Sequence, residues 1–418
     1  MTEGECDYLE TPPTYQEFFE RYLLPNKPVV VGPALVASWS AVTQWVDKFD
    51  ASSINWDFLV TAYGDELVTT ADCDTREFSD QKRQTMQLRE VISLWRSGSE
   101  GGKALYVKDW HLARSVHPQA FYTTPDIFRD DWMNAYYSAC TEDDFRFVYV
   151  GAAGTFTPLH RDVYTSYSWS TNVCGRKRWW LYPPAQTQYL LRKGGEEHME
   201  TAFDVRNVNP REFPDFIQTK PIVLEQNDGE TLFVPSGWYH QVENLTPCIS
   251  INHNWCNSVN LPSLYDSMCA KVTEVEHALE DVRELLSQNA RKDPDGRGWE
   301  HDWVQIVQDV VEKDAGWNWM TFWKMIRHAL ETTAAVHNHT ASSECEITRP
   351  RSFNAPSAPH TQSLWEPAPA SLTPLPAFIY ARVRACVESF LRRPEREVEL
   401  LEGLRDVLDA ITRVVQSS

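Results

Sequence analysis

Between Phe145 and Trp255 the chain becomes a succession of short runs rich in β-branched and aromatic residues. Eight can be delimited: Phe145–Val150, Thr155–Val163, Ser166–Val173, Lys177–Tyr182, Pro221–Glu225, Thr231–Val234, Tyr239–Asn244 and Cys248–Trp255. Asp228-Gly229 and Ser236-Gly237 supply turn chemistry between them. Strands this short bury a face only by packing sheet on sheet. Eight at this spacing therefore predict a jelly-roll barrel, a mainly β fold with flanking helices. The wider gap, Ala185–Lys220, is expected to hold a helix over Ala185–Arg192 and a charged surface insertion.

One polar constellation stands out within these runs. His160 and Asp162 are two apart in Thr157-Pro158-Leu159-His160-Arg161-Asp162. Strand alternation lets an imidazole and a carboxylate two apart reach a common point. His240, just after the Pro235-Ser236-Gly237 turn, offers a third ligand from a distant strand. A His-x-acid pair is weak by itself, since twelve histidines and 59 acidic residues in 418 predict about 1.7 such pairs by chance. The other one, His198-Met199-Glu200, follows Gly194-Gly195-Glu196-Glu197 and reads as a solvated loop. Two histidines and one carboxylate leave three coordination positions open, the donor set of non-haem Fe(II) oxygenases. Zinc, which needs one open position, stays open as an alternative.

Lys177 bears on that choice. A lysine on an inward-facing strand is costly unless an anion neutralises it. A five-carbon dicarboxylate chelating iron would place its far carboxylate there, with a hydroxyl from Thr157 and a phenol from Tyr106, on the apolar run Ala104–Val107, as further donors. Asn252 and Asn254 share a face of the last strand, and Asn254 is a candidate to orient a ligand near the metal.

Outside the barrel the pattern is largely helical. Thr14-x-x-Glu17 is a capping box, Pro28–Val31 reads as a strand, and helices are expected over Trp39–Phe49 and Met86–Arg96. Further helices are expected over Leu261–Asn289, His301–Asp314, Trp317–Val336, Ala377–Arg392 and Glu395–Val415. Ala335–Pro374 is rich in Ser, Thr and Pro and reads as a disordered linker, with His337-Asn338-His339 solvated inside it. The expected domains are residues 1–144, leading into the barrel; 145–256, the barrel; 257–335, helical; 336–374, linker; and 375–418, terminal helices.

A formal charge of −20 argues against nucleic acid as a partner and suits a basic protein better. Nine cysteines with no Cys-x-x-Cys pair indicate neither a disulfide framework nor a zinc module, and a reducing compartment follows. With an acidic N-terminal stretch and no apolar run of membrane-spanning length, a cytoplasmic protein is expected, the nucleus being compatible too.

Three blocks carry a resemblance: Thr157 to Asp162 (TPLHRD), Gly175 to Pro184 (GRKRWWLYPP) and Val234 to Leu245 (VPSGWYHQVENL). Together they resemble the JmjC-domain 2-oxoglutarate oxygenases, over about the first 256 residues. The resemblance implies a double-stranded β-helix with Fe(II) on His160, Asp162 and His240, and the far carboxylate of 2-oxoglutarate on Lys177 with Thr157 and Tyr106. Oxygen is the second cosubstrate of that family. Ala104 to Leu112 and Ser166 to Pro184 are most similar to the branch that hydroxylates a lysine of the class 1 eukaryotic translation release factor, which implies that protein as the substrate. Some relatives carry Asn where Ser170 stands. A histone lysine demethylase and a catalytically silent scaffold are the competing readings.

Overall fold

The computed structural model describes residues 5–50, 52–193, 200–290, 298–341 and 365–416. Contacts divide the chain into two units, Met1–Phe128 with Asp144–Trp255, and Arg129–Asp143 with Cys256–Ser418.

The first unit is built on thirteen strands: β1 (Asp7–Leu9), β2 (Val29–Val31), β3 (Leu67–Glu77), β4 (Asp80–Gln87), β5 (Leu105–Trp110), β6 (Arg146–Gly151), β7 (Phe156–Arg161), β8 (Tyr167–Cys174), β9 (Lys177–Tyr182), β10 (Ile222–Gln226), β11 (Thr231–Val234), β12 (Tyr239–Asn244) and β13 (Cys248–Trp255). They form a nine-stranded sheet, β1-β2-β11-β8-β13-β6-β5-β3-β4, and a four-stranded sheet, β10-β9-β12-β7. All eight runs expected for the barrel are strands, β6 to β13, with ends moved by a residue or two. The chain passes repeatedly between the two sheets, and the fold is the cupin-like jelly-roll, flanked by helices, that the sequence predicts.

Aromatic packing fixes one side of the large sheet. Phe128 stacks on Trp169 at 5.5 Å, Phe18 meets Phe233 edge-on at 5.1 Å, and Tyr167 lies 4.9 Å from Trp255. Each ring is buried, worth roughly 2–3 kcal/mol of transfer free energy. Phe18 arrives on the helix Tyr15–Phe18, started by the Thr14–Glu17 capping box.

Three features of this unit depart from expectation. The helix expected over Trp39–Phe49 is confined to Ser40–Gln44, and the one over Ala185–Arg192 to Thr187–Leu190. The β3–β4 hairpin is the larger surprise. Its outer half is polar and largely exposed, with Gln81 the buried exception, so it lacks the alternation by which a half-buried strand is recognised. The helix after it, Leu88–Ser97, lies where predicted and ends on Gly98 in the left-handed region, φ 66°.

The second unit is helical: Trp132–Cys140, Leu261–Ala278, Glu280–Ala290, Trp299–Ala315, Trp319–Ala341, Pro376–Phe390, Glu397–Leu400 and Leu404–Gln416. Trp317, Trp319, Phe322, Trp323 and Phe390 are buried in its core. Arg129–Asp143, expected with the N-terminal part, belongs to this unit. The single helix expected over Leu261–Asn289 breaks at Leu279, and that over Glu395–Val415 breaks before Gly403, whose φ is 77°. The expected linker also needs correction. Its first residues, His337-Asn338-His339 included, continue the helix to Ala341, because the Trp319 helix propagates past its apolar stretch. Trp365 to Pro374 is described and contains a short helical turn, Ala370–Leu372; residues 342–364 and His198 lie outside the described residues. No helix among the described residues is long and apolar enough to cross a membrane.

Candidate metal centre

His160 and His240 are direct cross-strand partners, on β7 and β12, with ring centroids 4.2 Å apart. Each ring is oriented by its own strand. His160 Nδ1 lies 2.8 Å from the Pro158 carbonyl, and His240 Nδ1 lies 3.2 Å from the Trp238 carbonyl. A carbonyl only accepts, so both Nδ1 atoms carry the proton and both Nε2 lone pairs are free to ligate. Burial holds the His160 imidazole well below its ordinary pKa, in the neutral form a metal requires.

Asp162 completes the set by a different route from strand alternation. β7 ends at Arg161, one residue earlier than a shared strand face requires, and Asp162 opens the 3-10 turn Val163–Thr165 with extended backbone (φ −59°, ψ 149°). Its Oδ2 lies 4.0 Å from His240 Nε2 and accepts a hydrogen bond from Ser168 Oγ at 2.7 Å. The three ligand atoms lie within 4.8 Å of one another, close enough for one ion.

The turn after Asp162 is strained, and it is fastened. Tyr164 and Thr165 have φ of 48° and 56°, a left-handed backbone that costs non-glycine residues about 1–2 kcal/mol each. Thr165 N–H donates to the Asp162 carbonyl at 3.1 Å, and Ser236 Oγ donates to the Thr165 carbonyl. Ser236 is gripped in turn by Asn26, whose Nδ2 donates to the Ser236 carbonyl at 2.8 Å and whose Oδ1 accepts from Ser236 N–H at 2.9 Å. Asn26 thus ties the turn before His240 to the turn after Asp162.

Thr157 and His160 are three apart and would face opposite ways on a regular strand. A bulge corrects this: His160 pairs with His240 while Thr157 pairs with Val242, so β7 spends three residues where β12 spends two. Tyr106, Thr157, His160, Asp162, Lys177, His240 and Asn254, all the residues singled out from the sequence, line one pocket.

Lys177 is the most informative of the rest. Its ammonium is buried and donates to Ser250 Oγ at 2.6 Å, and no carboxylate pairs with it among the described residues. Burial lowers its pKa from 10.5 to about 8. A buried cation short of a counter-charge beside three metal-type donors fits a bound anion. Burial also pushes the Tyr106 phenol up, while the Asn244 and Thr157 side chains pull it the other way. Asn254 Nδ2 donates to Ser166 Oγ at 3.2 Å and stands opposite Ser168, the partner of Asp162; Asn252 accepts from Ser170 Oγ at 3.0 Å.

Sequence reading did not single out Ser168, Ser250, Asn26 or Tyr149. Ser168 and Ser250 carry a signal only once register is known. Asn26 is 210 residues from its partner in sequence, which leaves no local trace.

A fold of two jelly-roll sheets with two histidines on paired strands and an aspartate from the turn beside them defines a class, and comparison with known proteins agrees. The chain matches the cupin-like domain family over residues 15–260 and belongs to it, as one of the JmjC oxygenases that depend on iron and 2-oxoglutarate. It is 36% identical over 348 residues to the 2-oxoglutarate and iron-dependent oxygenase JMJD4 of Gallus gallus, covering 80% of this chain and 76% of that protein. Against the Homo sapiens JMJD4 the identity is 33% over 343 residues, covering 79% and 77%. The arginine-specific demethylase JMJ20 of Arabidopsis thaliana is 40% identical over 288 residues, covering 65% of this chain and 61% of its own length.

Proposed function

We propose that this iron- and 2-oxoglutarate-dependent oxygenase hydroxylates a lysine side chain of a protein in the cytoplasm, the class 1 translation release factor being the substrate. The observation that carries the reading is the similarity to JMJD4 proteins across about 80% of the chain, joined to an intact His160, Asp162 and His240 set. In this reading those three residues hold Fe(II), Lys177 and Thr157 bind the far carboxylate of 2-oxoglutarate with Tyr106 beside them, and Asn254 orients what binds at the metal.

Iron and 2-oxoglutarate together supply the oxidising chemistry, in which O2 is reduced, the cosubstrate becomes succinate and CO2, and one oxygen atom enters a C–H bond. The protein's part is positional. Nδ1–H bonds to Pro158 and Trp238 fix both imidazoles so that neither rotates or changes tautomer during turnover. Ser168 holds one oxygen of Asp162, leaving the carboxylate a single way to face the ion. Trp179 and Val242 form an apolar wall that keeps water away from the reacting carbon.

Purified chain, Fe(II), 2-oxoglutarate and release factor should yield succinate together with a lysine heavier by one oxygen. His240→Ala should yield neither. Loss of a methyl group from arginine or lysine, with O2 consumed, succinate formed and the methyl carbon released as formaldehyde, would instead support a demethylase, the reading favoured by the name of the JMJ20 relative. Unchanged cellular effect in the His240→Ala protein, with no succinate from wild type, would leave a scaffold.

A further inference from the structure

β5 is deformed where it passes the candidate metal centre. Its pairing with β6 slips between Val107 and Trp110, and Asp109 at the slip has a φ of 54°. Bulges and left-handed non-glycine residues persist where the surroundings hold them, and they re-aim side chains. Here two charges are re-aimed. Lys108 is buried and near enough for its charge to act on His160. Asp109 Oδ1 accepts a hydrogen bond from the Tyr149 hydroxyl at 2.7 Å.

Tyr149 connects this carboxylate to the pocket. It lines the pocket, faces Ser250, the partner of Lys177, across the β6–β13 ladder, and its hydroxyl is within the field of Asp162. Phe147, two residues back on the same face, stands opposite Asn252. Of these two rings Tyr149 lines the pocket, and Asp109 lies next to it at the far side of the Tyr149 hydroxyl, with its side chain 35% exposed. Burial opposes ionisation of Asp109, but Lys108, Arg83 and the Tyr149 hydroxyl hold its carboxyl below the usual carboxylate range. Arg83, on β4 of the exposed hairpin, places Nη1 2.7 Å from Asp109 Oδ2.

Oxidation at a lysine carbon leaves the ammonium intact, so that charge must enter the pocket and be met by an anion. Asp162 is the carboxylate in the pocket lining, and it is engaged by Ser168 and the metal position. We propose that Asp109, presented by the β5 bulge and oriented by Tyr149, receives the cationic end of the substrate side chain, with Arg83 occupying it until substrate arrives. The inference rests on the lysyl reading above. A half-exposed ion pair such as Arg83–Asp109 is weak enough for a substrate cation to displace.

The test uses the full chain loaded with Mn(II) and 2-oxoglutarate, and n-butylammonium as the probe, since it is a lysine side chain without its backbone. Paramagnetic broadening of the probe's carbon-bound protons reports both affinity and nearness to the metal. Wild type should broaden n-butylammonium and not the neutral 1-butanol. Asp109→Asn should weaken binding about tenfold or more, the loss expected for a charge-assisted hydrogen bond, and Arg83→Ala should tighten it severalfold by removing the competitor. A purely structural ion pair would not give opposite signs for its two halves. Butanol binding as well as butylammonium, or both variants binding like wild type, would overturn the proposal. Turnover of release factor separates the two readings: hydroxylation with an unchanged KM in Asp109→Asn sinks the subsite alone, whereas Asp109-dependent probe binding without lysine oxidation supports the subsite and sinks the hydroxylase.

Discussion

Replacing Lys177 with methionine should make the protein more stable and unable to use 2-oxoglutarate. Lys177 is 2% exposed, with its pKa lowered from 10.5 to about 8 by burial. At about 1.36 kcal/mol per pKa unit, holding it charged in the fold costs roughly 3 kcal/mol at neutral pH. Methionine has similar volume and no charge, so it removes that cost. It also strands Ser250, whose hydroxyl loses the 2.6 Å bond from Lys177, at a penalty of about 1 kcal/mol. The expected net gain is about 2 kcal/mol at pH 7, read by urea denaturation. The sign with pH follows from the lowered pKa. Between pH 8 and 10.5 the unfolded lysine holds a proton that the folded one has released, so wild-type stability rises with pH and the variant's advantage shrinks across that window. With both proteins already loaded with Mn(II), saturating 2-oxoglutarate should stabilise wild type further and leave the variant unmoved. A variant less stable than wild type at pH 7, or one whose advantage is the same at pH 7 and pH 10, would refute the view of Lys177 as a buried cation awaiting an anion.

The same lysine predicts a pH dependence of cosubstrate use. KM for 2-oxoglutarate should be flat below pH 8 and rise by about tenfold per unit above it, because the free site then loses the proton its anion needs; steady-state assays at fixed saturating substrate measure this. Asn26→Ala should cost about 1–2 kcal/mol of stability through its lost bonds to Ser236, and should weaken Mn(II) binding through both turns, read by the electron spin resonance signal of free Mn(II). Ser168→Ala should lower metal affinity about 10–100-fold with little change in unfolding, since it removes an outer partner of a ligand and no core contact. Phe128→Ala should destabilise by about 3–5 kcal/mol, as Phe128 packs against Phe18, Trp169 and Trp255.

How much could be read beforehand depended on the range of the interaction that fixed each feature. β6 to β13 were legible because burial of one face and the turn residues between runs act within a few positions. The metal-type donors were legible because their chemistry is rare in combination, although strand alternation, the reason that brings His160 and Asp162 to mind as a pair, is not how the structure joins them: Asp162 leaves the strand and reaches the site through a turn. The β3–β4 hairpin stayed hidden because its outer half buries a single polar residue, Gln81, and no apolar face that would leave a pattern. Helix breaks at Leu279 and before Gly403 stayed hidden because propensity favours continuation, and tertiary packing decides where a helix stops.

The site's reliance on distant partners has a physical consequence. Its ligands come from a strand end, a turn and a strand start, and the turn after Asp162 carries two left-handed non-glycine residues, Tyr164 and Thr165, that the chain would not adopt alone. Their strain is held by a relay from Asn26 through Ser236 to Thr165, every link of which is a side chain-to-backbone hydrogen bond closed only after three separate parts of the first unit have met. The Asp162 carboxylate therefore cannot form a metal site in a partly folded chain, even though His160 and His240 become neighbours as soon as β7 pairs with β12. Two imidazoles alone would bind Zn(II) or Cu(II) readily. Delaying the carboxylate until the turns close couples the three-ligand set, with its open coordination positions, to completion of the fold.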